Sequence, residues 1–455
     1  MKKTDYLRRI YVVLLATCLS YSIWSQEHTG YYQDNFLRYA DYVYKPNIKT
    51  VLLNYNGVVV PDIKSFGDIR EFQQTAINFT IPVVLLNSDK QLKLSFDDFD
   101  LGIKNFNYTL VHCDAYWNPS SLQPNEYLDG FFENNIYSYQ FSLNTLQRYV
   151  HYSVVFPGNN FKITKSGNYL VKVYENNNPD DIVLTKRFMV FDEKVTVAPT
   201  VTAATNVSER YLKQEVDLRI VTPEYEITNA YKDLKIVITQ NDRWDNALFT
   251  LKPTYVKHKE LVYDYDTENL FSGGNEFRSF DCRNIRYQTM NVKHIETDST
   301  GFHMFLLNDE KRSSQRYSTQ RDINGKFLIK TMNGNNSDIE AEYVYVHFFV
   351  PIPEPTMDGT LYVVGGFVNW QCGEMNKMTY NHRKKGYECT IYVKQGYYDY
   401  KYVLAKDGTK NLDEGFIEGE HFETENEYVV YVYHQSQLGL TYDQLIGVQR
   451  VTSVR

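Results

Sequence analysis

From Asn47 to its last residues the chain repeats apolar and polar side chains with a period of two, and no window beyond residue 25 keeps a helical period for three turns. Such a chain can fold only by pairing strands. Val216, Leu218 and Ile220 alternate with Asp217 and Arg219, as a strand with one wet face requires. The apolar runs 169–174 and 182–188 flank the polar stretch 176–181 and predict a hairpin. Asn324-Gly325, between Arg321 and Leu328, predicts a second hairpin, because both central positions of its turn need positive φ. Residues 343–350 are apolar on both faces and predict a central strand. Many short strands separated by turns predict an all-β chain of tandem, immunoglobulin-like β-sandwiches rather than βα units. At 455 residues there is room for about three such domains. Breaks near 195–199 and at Pro351, Pro353 and Pro355 set the expected limits at 30–193, 194–350 and 351–450.

The N-terminus adds an address. Lys2, Lys3, Arg8 and Arg9 precede the apolar run 10–19, and Ser25 precedes a polar continuation. This is the form of a secretory signal peptide over 1–25, with too few apolar residues to span a bilayer. No later segment reads as a membrane span, so an exported chain is expected. The formal charge is −8, and removing the first 25 residues, with four bases and Asp5, leaves −11. That sign argues against nucleic-acid partners and anionic lipid, which need cationic footprints. Cys113, Cys282, Cys372 and Cys389 follow the signal. Cys372 and Cys389 are near enough in sequence to be joined, although a chain this long does not need a bridge.

Motifs of catalysis are lacking. Asp97, Asp98 and Asp100 before Gly102 read as a solvated turn more readily than as a glycosidase pair. Asp264, Asp266 and Glu268 resemble the start of a calcium loop, but Asn269 stands where glycine is needed. His112 and Asp114 point away from Cys113 if all three lie on a strand, which leaves Cys113 a core residue. No cysteine or histidine pair has zinc spacing, and no phosphate-binding glycine loop occurs. No catalytic residue, metal, cofactor or small-molecule ligand is therefore expected.

Residues 361–370, ending Gly-Gly-Phe-Val-Asn-Trp370, followed by 396–403 with Tyr400-Lys401 and then by Asp407-Gly408, resemble an early-set immunoglobulin-like module of the glycogen-binding type. The resemblance implies that Trp370 and Lys401 could hold a glycan, the indole covering a sugar face. The family's second tryptophan is replaced here by the stretch 409–412.

A wider resemblance covers almost the whole chain in order. Residues 108–114 with Trp117, 126–131, 149–153, 166–175, 185–190, 270–278 and 442–447 are similar to the type IX secretion system plug proteins, with Cys282 an unfamiliar residue in its motif. That resemblance implies a periplasmic, non-catalytic subunit. It would dock on the inner mouth of the system's outer-membrane β-barrel translocon and seal the pore. The docking face is not legible in the sequence, since most of 40 tyrosines must be core.

Overall fold

Strand pairing follows the alternation. A computed structural model of the protein describes residues 36–57, 82–249, 251–408, 412–435 and 442–453; the expected signal peptide and residues 409–411 lie outside this set. The expected hairpin forms, with Gly167–Glu175 antiparallel to Ile182–Phe191 and Tyr169 opposite Phe188. Phe106–Cys113 pairs on the other edge of Gly167–Glu175, and Glu133–Ile136 ends that sheet. A second sheet, from Ile48–Tyr55 through Leu92–Asp98 and Val150–Phe156 to Ser138–Phe141, packs against it. Phe96, Phe106 and Tyr152 meet between the two sheets, with Phe156, Tyr169 and Phe188 continuing the layer. This first lobe is contiguous in sequence.

The rest of the chain is interleaved. Thr196–Ala203, Lys213–Val221 and Glu260–Tyr263 form one sheet of a middle lobe. Its facing sheet joins Leu234–Gln240 to Glu427–His434 and Gln444–Thr452. The last strands of the chain thus complete a core begun more than two hundred residues earlier, where Val216, Leu218 and Ile220 meet Tyr428, Val430 and Val432.

Between those halves lies a third lobe. Tyr343–Pro351 is central, as expected, but it lies parallel to Gly301–Leu306 on one side and antiparallel to Gly386–Lys394 on the other. The prolines at 351–355 therefore do not separate sheets: strands on both sides of residue 350 share one. Gly396–Lys406 organises the opposing sheet with Arg278–Asp281, Phe327–Ile329 and Gly359–Val364. Asn324 and Gly325 do adopt positive φ, at 54° and 76°. Only the strand after that turn forms, because its edge pairs with Gly396–Lys406 instead of with 318–322. The architecture is nearly all β, in stacked sandwiches. No helix among the described residues is long and apolar enough to cross a membrane. All four cysteines after residue 25 are free thiols, including Cys372 and Cys389.

Candidate functional site

The three lobes meet around an open cavity of about 430 Å³. Asp41, Trp117 and Arg187 line it from the first lobe, Asp242 and Trp244 from the middle lobe, and Lys326 and Trp370 from the third. The chain has four tryptophans, and the three beyond residue 25 all stand here. Among the described residues, five of the fourteen non-glycine residues with positive φ also line it: Trp117, Asn241, Asp242, Asn369 and Trp370. Asparagine and aspartate tolerate that region, but a tryptophan pays roughly 1–2 kcal/mol there. Strain of this kind persists where the surrounding structure holds a side chain in place.

Local hydrogen bonds show how the two tryptophans are held. The Asp114 carboxylate accepts from the Tyr116 and Asn118 amides, closing a turn around Trp117. The Trp370 amide donates to the Gly365 carbonyl. A Cβ on Gly325 would stand 2.4 Å from the Trp370 ring, so that glycine serves both the turn and the close approach.

Charges around the cavity are matched almost throughout. Lys186 pairs with Asp41 at 2.8 Å and Lys326 with Glu427 at 2.5 Å. Asp242 faces Lys326 and Arg450, and Arg243 binds both Asp245 and Glu414. Burial would raise the Glu414 carboxyl, but the charges of Arg243 and Lys401 bring it down to about 2.

Of the sequence-derived pair, Trp370 lines the cavity and Lys401 meets the same Phe277 ring, and both are already occupied. The Arg243 guanidinium lies 4.5 Å from the Trp370 ring centre, and Phe277 meets the same ring edge-on. Lys401 is 2% exposed, stands 4.0 Å from the Phe277 ring centre and approaches Glu414 at 3.3 Å. An ammonium so placed serves an internal ion pair.

Elsewhere the acids at the end of the strand Leu92–Asp98 correct an expectation. Asp97 and Asp98 are buried, not solvated. Asp97 takes Lys394 at 2.6 Å, the Tyr343 hydroxyl at 2.7 Å and His151 Nδ1 at 2.7 Å. Burial opposes its charge, yet Lys394 and His151 hold the carboxyl below its usual range. Only Asp100 stays exposed, paired with Lys104. Asn269 also differs from a calcium-loop residue: it is buried and donates to Val216 O and Asp217. His112 and Cys113 are both buried; burial lowers the imidazole to about 4 and raises the thiol to about 12. A thiol held that high is a poor nucleophile. Among the described residues, no group of three or more His, Cys, Asp or Glu side chains could hold a metal.

Sequence reasoning missed Trp244 and Arg187. A signal for the first existed in the scarcity of tryptophan. Arg187 lies within the matching segment 185–190, but nothing in that segment marks it as a site residue, because it joins the site only through packing.

Comparison with known proteins places this architecture. Residues 68–192, the region of the first lobe, match the family model for the type 9 secretion system plug protein 1st domain. The crystal structure of a hypothetical protein from Parabacteroides merdae ATCC 43184 is 30% identical, with a TM-score of 0.83 over 92% of this chain and 100% of that one. No curated protein is similar to the chain. The chain belongs to the type IX secretion system plug family. It is thereby an accessory component of that secretion system.

Proposed function

We propose that the protein is a non-catalytic, exported subunit that docks on the periplasmic mouth of the outer-membrane β-barrel translocon and closes it while no cargo is in transit. The observation that carries this reading is mechanical. Arg38–Arg455 forms one compact unit although it holds three separate hydrophobic cores. A stopper must not open along its own joints, and here the joints are interlocked. The last strands return to the middle lobe, and the Asp97–Lys394 pair clamps the first lobe to the third. Asp443 fastens the first lobe to the middle one by accepting from the Ala115 amide while pairing with Lys235. Removing one member of a buried pair leaves an uncompensated charge and costs about 3–5 kcal/mol, so such joints resist separation.

Reversible docking suits aromatic surface side chains, which dominate interface energetics. Phe131, Tyr137, Tyr211 and Tyr287 are all exposed. Tagged protein recovered from detergent-solubilised outer membranes should bring a very large β-barrel protein with it. A deletion strain should admit small antibiotics that the parent excludes. Recovery without the barrel, together with unchanged permeability, would overturn the reading.

A further inference from the structure

Arg187 breaks the pattern of matched charges. Arg243, Arg278, Arg283, Arg312 and Arg450 each reach a carboxylate. Arg187 lines the cavity, but its guanidinium forms no ion pair or hydrogen bond with any described residue. Asp41, the carboxylate whose charge acts on it, accepts hydrogen bonds instead from the Arg187 backbone amide and from Lys186. The other cavity carboxylates are committed too, Asp242 to Lys326 and Arg450 and Asp245 to Arg243.

What does surround the guanidinium is aromatic. It lies 5.0 Å from the Trp117 ring centre and 5.7 Å from that of Trp244. Those rings meet edge to face at 5.1 Å, and Tyr116 and Phe249 extend the same wall. The Nε of Arg187 and the indole nitrogens of Trp117 and Trp244 are buried donors without a partner. Three orphan donors around one cation are rare, since an unmet buried donor costs about 1–3 kcal/mol. Cation–π contact recovers part of the desolvation of a guanidinium, but supplies no acceptor for its N–H groups.

We propose that this cavity binds a carboxylate borne on a flat apolar or aromatic body, with Arg187 taking the charge and the Trp117–Trp244–Phe249 wall covering the body. A guanidinium fork matches a carboxylate in two parallel hydrogen bonds. The volume suits a small aromatic acid or the last residue of a peptide, and the two sources share this chemistry. The site is independent of whether the protein closes a pore.

The test titrates the full chain and follows its tryptophan fluorescence. The probes are phenylacetate against phenylacetamide, and a Gly-Gly-Gly-Phe peptide with a free against an amidated C-terminus. At least one carboxylate should bind tenfold or more tightly than its amide, and the arm with the larger ratio identifies the source. In Arg187→Gln that ratio should fall to near one. A measurement on the unmodified sequence guards against a misfolded variant. Phenylglyoxal labelling, read by peptide mass mapping, should be suppressed by the better probe at Arg187 and not at the exposed Arg219. Equal affinity for acid and amide, a ratio that persists in Arg187→Gln, or undiminished labelling of Arg187 would each overturn the proposal.

Discussion

Lys394 and Arg187 are two cations at junctions between lobes, and they are treated in opposite ways. Lys394 is 2% exposed and fully met: Asp97 takes it at 2.6 Å, the Asp338 carbonyl at 2.7 Å, and the Tyr149 ring lies beneath it. Arg187 has two indoles and no acceptor. The first junction is closed and filled, whereas the second opens on a cavity. A buried charge that is paired holds structure together, and its removal leaves its partner stranded. A guanidinium left without a hydrogen-bonding acceptor contributes little to folding and stays available to something from outside.

The comparison fails if the two respond alike to neutral substitution. Lys394→Met strands Asp97 and should lower stability by about 3–5 kcal/mol, read as a lower urea midpoint. Next in size is an effect of pH at a neighbouring buried pair, Asp322 and Asp399. Burial raises both carboxyls to about 7, helped at Asp322 by the charge of Asp399. An unfolded aspartate titrates near about 3.9, so the folded state holds the extra proton in between. Their contribution is complete below about pH 4 and is lost as pH rises towards about 7. Asp322→Asn should flatten that slope in urea titrations across the window.

Glu414, held down to about 2, has the opposite sign. Its contribution is present above about pH 4.3, the unfolded value, and disappears as pH falls towards about 2. Glu414→Gln should remove that acid-side loss. Arg187→Met should change stability by no more than about 1 kcal/mol, because it forfeits cation–π contact but also a desolvated charge. A drop as large as that for Lys394→Met would show a structural role that the geometry does not reveal. The smallest expected effect is none: soluble α-glucan added to the full chain should leave tryptophan fluorescence unchanged, since Trp370 already carries Arg243. Saturable quenching would reopen the sugar-binding reading.

Strand character was legible wherever a residue's environment is set by its near neighbours. Val216, Leu218 and Ile220 point inward as the alternation requires, and 169–188 forms its hairpin. Asn324-Gly325 was half legible. The dipeptide specifies the φ values, but the pairing of the chain on either side depends on a strand seventy residues further on. Asp97 was misread for a related reason. Three acids before a glycine look wet until Lys394, nearly three hundred residues away, is packed against the first. The site was legible only as single residues: Trp370 and Lys401 stood out, while Trp244 and Arg187 did not.

The order of apolar and polar residues was enough to determine an all-β chain, and the quoted motifs were enough to place it among the plug proteins, because both are local properties of the chain. Which strands share a sheet, which acid is buried against which base, and which arginine is left over were decided only in three dimensions. Those outcomes depend on contacts between segments whose separation no local pattern encodes, and on a dielectric that exists only once the lobes have closed around the charges.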